Sequence, residues 1–225
     1  MRKILFSQIL TFLTIIGTVI ALAVATTALL LGSLPLGDFR GVVLTVVGVV
    51  LTLAYAMVAY RLFLKVMPLP VGEIAHDSRA EFTYHVYLLF FLLLFYPLMR
   101  SGSMPVPLMR VIYLALGARL GDNTYSSGII LDPLFVEIGN NSIVGQFALL
   151  VPHVIEGDRL AHYPIRIGHN VTIGAHSCVL SGVTIGDGAI VATGAVVSKG
   201  TQIGPGEIWG GVPARRLKAG SPEVV

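Results

Sequence analysis

The chain has 225 residues, of which 55% are hydrophobic and only 12% charged, with a formal charge of +3 from 15 basic and 12 acidic residues. A mean hydropathy of +0.83 lies outside the soluble range, so part of the chain belongs in lipid. The weak, dispersed positive charge does not suggest a nucleic-acid partner, and none is expected; the one cysteine, Cys178, excludes an internal disulfide and reads as a small apolar filler.

In chain order, Ile4 to Leu31 carries no charge and exceeds the roughly 20 residues that a helix needs to cross hydrocarbon. A cleaved signal peptide would have a shorter apolar region, about 7 to 15 residues, and here a second apolar segment follows at once. That segment, Gly41 to Leu64, comes after a turn through Pro35, Gly37, Asp38 and Arg40; its only charge, Arg61, can snorkel to the interface beside Lys65. Residues 67 to 81, MPLPVGEIAHDSRAE, form a polar connection, and Phe82 to Met99 is a third apolar segment of marginal length. His76, Asp77, Glu81, Tyr84 and His85 cluster at its mouth.

The cations conflict over topology. Arg2 and Lys3, then Arg61, Lys65 and Arg79, then Arg100, Arg110 and Arg119 all favour the inside. They cannot all be inside if the third segment crosses completely, so it is re-entrant or interfacial, or the rule fails at one loop. The expectation is an integral protein of a bacterial inner membrane with its C-terminal half cytoplasmic. Val106 to Leu116, VPLMRVIYLAL, is too short to span and reads as an interfacial helix. The resulting division is a membrane domain over 1–104 with two or three transmembrane helices, a linker helix over 105–119, a repeat domain over 120–208 and a tail over 209–225.

The repeat is a hexad. With position one at 120, 126, 132, 138, 144 and 150, and again at 167, 173, 179, 185, 191, 197 and 203, eleven of the thirteen positions are Leu, Ile or Val. Position two is Gly seven times, at 121, 139, 145, 168, 174, 186 and 204, and position five is small or β-branched at all but Glu207. This predicts a coil of short strands with the large aliphatic inward, the smaller residue beside it, and Gly at corners that need unusual backbone angles. Each coil buries its face only by stacking on the next.

The run IGHNVTIGAHSCVLSGVTIGDGAIVATGAVVSKG, followed by GGVPARRLK, resembles the hexapeptide-repeat acyltransferases over roughly residues 114 to 218. The preceding apolar segments are similar to those of membrane-embedded relatives. The resemblance implies an N-terminal α-helical transmembrane region followed by a C-terminal left-handed parallel β-helix, with three successive hexads closing each coil. It also implies a homotrimer with sites in the clefts between subunits and acetyl-CoA or another acyl-CoA as co-substrate.

The rhythm breaks once. Continuing the first register from Leu150 predicts position one at 168, whereas the second register begins at Ile167, so the phase slips by a single position. Residues 156 to 166, EGDRLAHYPIR, therefore form an excursion, with Pro164 at the re-entry and His153 facing outward at its base. The resemblance implies that His153, the loop and PIRIG at 164 to 168 match the family's catalytic base and its surroundings. Histidine suits the task because acyl transfer from a thioester needs a group that accepts the acceptor's proton near neutral pH. Glu156, Asp158 or Asp132, the last in a position-one slot where an aliphatic belongs, could fix its tautomer; the residues leave the choice open. The positions matching the family's coenzyme A contacts are Ala175, Thr193, Ser198, Lys199 and Arg215, with Lys199 and Arg215 suited to its phosphates.

A γ-class carbonic anhydrase of the same fold needs two zinc-binding histidines in a His-x4-His pair, and no such pair occurs, so no metal is expected. His162, His169 and His176 read as corner or surface residues, with His162 also able to touch substrate. A non-catalytic trimeric membrane scaffold is the remaining alternative. The apolar half suggests an acceptor that is itself membrane-bound, such as a membrane lipid, a lipid-linked saccharide or a surface polymer.

Overall fold

The computed structural model describes residues 2–102 and 104–220; the end of the expected 209–225 tail lies outside them. The chain divides into a helical unit, up to Leu69 with Ala75–Pro97, and a second unit of Pro70–Ile74 with the chain from Leu98 onward.

In the helical unit, α1 (Phe6–Leu31) and α2 (Arg40–Val66) pack together across a short turn. Arg40 caps the end of α1 by donating to the carbonyls of Gly32 at 2.6 Å and Leu34 at 3.0 Å. Along α1 the hydroxyls of Thr11, Thr14 and Thr18 donate to carbonyls one turn back, so none needs water. α3 (Arg79–Phe90) starts at Ser78, whose Oγ accepts from the Glu81 N–H at 3.1 Å. It passes through a π-helical turn, Phe91–Phe95, into α4 (Tyr96–Arg100). Phe12 meets Phe90 edge-on at 5.1 Å and Tyr60 meets Phe95 at 5.4 Å, giving the unit an aromatic core. Glu81, buried in the first turn of α3, accepts from Arg2 at 3.1 Å and from the Asp77 N–H at 2.6 Å.

Among the described residues, three helical stretches are long and apolar enough to cross a membrane: Phe6–Leu31, Gly37–Val66 and Arg79–Arg100. The first two leave Leu13, Leu22, Val46 and Val50 exposed.

In the second unit, α5 (Val106–Leu116) ends at Gly117, whose φ of 111° only glycine adopts freely. It buries Met109, Tyr113 and Leu116 and packs on the first strands of the repeat, so the helix expected at an interface also closes an open end of the β-structure. Tyr113 Oη donates to Gly128 O at 2.9 Å and accepts from the Ile130 N–H at 3.2 Å. Arg110, the charge amid apolar residues, donates to Thr124 O and Gly121 O.

The repeat forms three parallel sheets that the chain visits in turn. The first stacks Arg119–Leu120, Val136–Ile138, Ile165–Ile167, Thr184–Ile185 and Gln202–Ile203. The second stacks Tyr125–Ser126, Ile143–Val144, Thr172–Ile173, Ile190–Val191 and Ile208–Gly211, with Ala214–Lys218 folding back antiparallel at its end. The third stacks Ile129–Ile130, Leu149–Val151, Cys178–Leu180 and Val196–Val197. Thr184 pairs with Arg166 on one side and with Gln202 on the other, three hexads away in each direction, which sets the length of a coil. Leu150, Ile173, Val179, Ile185, Val191 and Val197 line the buried interior.

Two expectations need correction. The repeated glycines do not supply unusual backbone angles. A Cβ at Gly139, Gly145 or Gly186 would instead come within 2.6 to 2.7 Å of the next coil's backbone, so glycine serves the close stacking of coils. The left-handed corners fall two positions later, at Asn123, Asn141 and Asn170 and then at Gly188 and Gly206.

The second correction concerns Asp132, which does not occupy an inward slot. The third strand of the first coil arrives two positions early, Ile129 pairing with Leu149, so Ile130 fills the interior and Asp132 is released to the corner. There it takes a left-handed φ of 45° ahead of a 3-10 turn, Pro133–Phe135.

Candidate active site

The interruption is a hairpin rather than a loop over 156–166. Strand His153–Glu156 runs antiparallel to Arg159–His162 around Gly157–Asp158, with His153 opposite His162 and Glu156 opposite Arg159. Gly157, with φ of 59°, provides the positive first dihedral of a two-residue hairpin turn. Cys178 pairs with Val196 one ordinary coil ahead, but its partner behind is Leu149, so the coil that carries the excursion is nearly two hexads longer than the next. A third strand, Gly72–Glu73, joins the hairpin: Gly72 lies opposite His162 and Glu73 opposite Ala161.

At the foot of the hairpin His153 Nδ1 lies 2.5 Å from Asp132 Oδ2. The Asp132 side chain is 5% exposed and that of His153 25%. With Nδ1–H donating to the carboxylate, Nε2 keeps its lone pair and is the nitrogen able to accept a proton. Burial pulls the His153 pKa down, but the hydrogen bond to Asp132 and its charge outweigh it, so the net shift is upward. His162 is fully buried, its ring stacked on Phe135 at 4.4 Å, and burial lowers its pKa. It is thus neither a corner nor a surface residue.

Of the three carboxylates that could support His153, the structure brings Asp132 to it. Glu156 forms ion pairs with Lys199 and with Arg159, and the Lys199 contact holds its carboxyl below the usual range. Asp158 lies exposed in the hairpin turn.

Four of the five expected coenzyme A residues fall on two corners, and the fifth, Arg215, on a strand. Ala175 and Thr193 belong to stacked coils at the corner between the second and third sheets, where Gly194 N–H donates to Ala175 O at 2.9 Å. Ser198 and Lys199 lie exposed just past Val196–Val197, on the side where the hairpin leaves, and Lys199 is engaged by Glu156. Arg215 is exposed on Ala214–Lys218, opposite Gly210. The Cys178 thiol is half-buried, and burial raises its pKa, which does not favour a nucleophilic thiolate.

Sequence reasoning missed the hairpin, Phe135, and the side chains that brace the excursion: Glu73, Arg159 and Tyr163. Arg159 donates to Glu73 at 2.8 Å and to Tyr163 Oη at 3.2 Å. The hairpin had a signal, Gly-Asp at 157–158 flanked by paired runs.

Residues 164–199 match the family model described as the hexapeptide repeat of succinyl-transferase. No curated protein matches the chain in sequence. Among solved structures, a hexapeptide-repeat acetyltransferase from Vibrio cholerae is 28% identical over 46% of this chain and 62% of its own, with a TM-score of 0.43. The present chain therefore spans less than two thirds of that relative. A maltose O-acetyltransferase from Clostridium difficile is 19% identical over 75% of this chain and 88% of its own, with a TM-score of 0.45. A serine acetyltransferase from Neisseria gonorrhoeae is 19% identical over 92% of this chain and 67% of its own, with a TM-score of 0.42. Residues 164–199, which lie within the three stacked sheets, are thus similar to the hexapeptide repeat described for succinyl-transferase.

Proposed function

We propose that the protein is an acyltransferase that moves an acyl group, acetyl in the simplest case, from acyl-CoA to a hydroxyl or amine of a membrane-bound acceptor. The observation that carries this reading is the buried Asp132 carboxylate 2.5 Å from His153, at the foot of the one hairpin that interrupts the coils. His153 Nε2 takes the proton as the acceptor's oxygen or nitrogen attacks the thioester carbonyl, and Asp132 stabilises the imidazolium that forms. The same proton then passes to the departing thiolate, which leaves as free coenzyme A. Ala175, Thr193, Ser198, Lys199 and Arg215 are the proposed donor contacts, and because the first four fall on two corners and Arg215 on a strand, they suit a groove shared between subunits. The coils winding left-handed and three chains associating as a homotrimer complete the proposal; no metal takes part.

The helical unit supports a membrane-bound acceptor such as a lipid, a lipid-linked saccharide or a surface polymer, because transfer to a soluble molecule would not need such apolar helices. The pairing of Gly72–Glu73 with Ala161–His162 bears on topology. It supports residues 70–74 and the chain from Leu98 lying on one side of the membrane, with α1 and α2 crossing and Arg79–Arg100 entering and leaving on that side. All the clusters from Arg2 to Arg119 then fall on the cytoplasmic side, where acyl-CoA is found, which removes the conflict among the cations. Incubation of the purified full chain with labelled acetyl-CoA and lipid extract tests the reaction: acceptor-dependent release of coenzyme A supports it, and release that ignores the acceptor contradicts it.

A further inference from the structure

The connection between α2 and α3 is not an ordinary loop. Its residues Pro70–Ile74 belong to the β-unit, and they lie along the outer edge of the His153 hairpin. Ile74 N–H donates to Leu160 O at 2.9 Å, and the Ile74 side chain is 2% exposed. Glu73 accepts from Arg159, Arg159 lies 3.7 Å from Glu156, and Glu156 is paired to Lys199 on the coils. The hairpin is therefore held along one strand by main chain from the α2–α3 connection and near its turn by charge. An isolated two-stranded hairpin is marginal in water, and a third strand is what gives such a sheet independent stability.

We propose that Gly72–Ile74 is a latch that positions the general base: residues of the α2–α3 connection complete the sheet carrying His153, so the chain from Leu98 onward is not competent without them. This rests on the reading of His153 as the base. The Glu73–Arg159 pair, half exposed on both sides, orients the strand and contributes little stability; the main-chain pairing and buried Ile74 hold it. With the latch released, His153 is no longer fixed against Asp132, and its neighbour His162, the other titratable ring on the hairpin, becomes accessible.

The test uses the full chain in detergent, in a Cys178→Ala background. Ile74→Asp places a charge in the buried latch position and should release it, whereas Ile74→Val should not. Glu73→Cys with Ala161→Cys joins directly opposed antiparallel residues, whose spacing of about 4.5 to 5.5 Å suits a disulfide. In Ile74→Asp we expect kcat to fall about 10²-fold with KM for acetyl-CoA little changed, as for a misplaced catalytic group. The His153 titration, followed by NMR, should move down. Adding the Cys pair to the same chain gives an internal control for folding: reduced protein should be slow, and oxidised protein should recover both kcat and the His153 titration. Equal rates in the two redox states, or an unmoved titration in Ile74→Asp, would overturn the latch. The titration needs no turnover, so a shifted titration in a protein without acyl transfer tells against the proposed reaction alone.

Discussion

Replacing Asp132 with Asn keeps the shape of the side chain and removes its charge. Asp132 is 5% exposed and its partner His153 25%, so water cannot substitute for the lost carboxylate. Two consequences follow from the geometry. Both contributions that raise the His153 pKa disappear, leaving burial, which lowers it, so the acidic limb of the rate profile shifts to lower pH. A carboxamide N–H turned toward Nδ1 also favours the tautomer with the proton on Nε2, where a base cannot act. The loss should approach the whole share of a general base, about 10²- to 10⁴-fold in kcat, or about 3 to 5 kcal/mol of barrier. The assay is steady-state release of coenzyme A thiol by the purified full chain, from mildly acidic to mildly alkaline pH. A kcat within roughly threefold of the parent, with an unmoved acidic limb, would refute the assignment of Asp132.

Lys199→Ala should raise KM for acetyl-CoA while leaving kcat and thermal stability nearly unchanged, because its pair with Glu156 is exposed and screened by solvent; binding measured by isothermal titration checks it. Tyr113→Phe leaves the buried Ile130 N–H without its acceptor, while Gly128 O keeps its bond from Ser126 Oγ, and should cost about 1 to 3 kcal/mol in thermal unfolding, with little change in KM. Burial pushes the Tyr113 phenol up to about 12. Its stabilising effect is therefore complete below the ordinary phenol value of about 10 and is lost as pH rises through the folded one, a decline that Tyr113→Phe should not show. Glu207→Ala removes the acceptor for Gly204 N–H, Trp209 Nε1–H and Arg216, and should loosen the last coil by about 1 to 2 kcal/mol, seen as faster hydrogen exchange over Gln202–Ile203. In a Cys178→Ala background, single cysteines at the exposed Val71 and at Met104 should both react with an impermeant reagent from the same side of the membrane, and reaction from opposite sides would return Arg79–Arg100 to a full crossing.

The coils were legible because each buried aliphatic recurs at a fixed interval, and a burial pattern repeated thirteen times survives two exceptions. One of those exceptions misled. A uniform hexad step puts Asp132 in the inward column because it cannot register a strand that starts two positions early; only the pairing of Ile129 with Leu149 reveals it. The early strand is also what sets Asp132 beside His153, so the irregularity and the candidate site are one feature. The interruption was visible as a phase slip, but its form was not, since pairing within 153–162 lies between residues that the hexad pattern ignores. The strand Gly72–Glu73 was out of reach: so short a piece of a proline-flanked connection carries no periodicity, and its partners lie far along the chain. The three apolar helices followed directly from length and composition, while the cations alone could not say whether the third one crosses.

The central claim is that His153 moves an acyl group onto a membrane-bound acceptor. The most direct test incubates membranes carrying either the parent chain or His153→Ala, at equal expression, with radiolabelled acetyl-CoA, and measures label in extracted lipids and glycans. The account predicts labelled product with the parent and at least about 10²-fold less with the variant. Equal labelling by the two chains would contradict it.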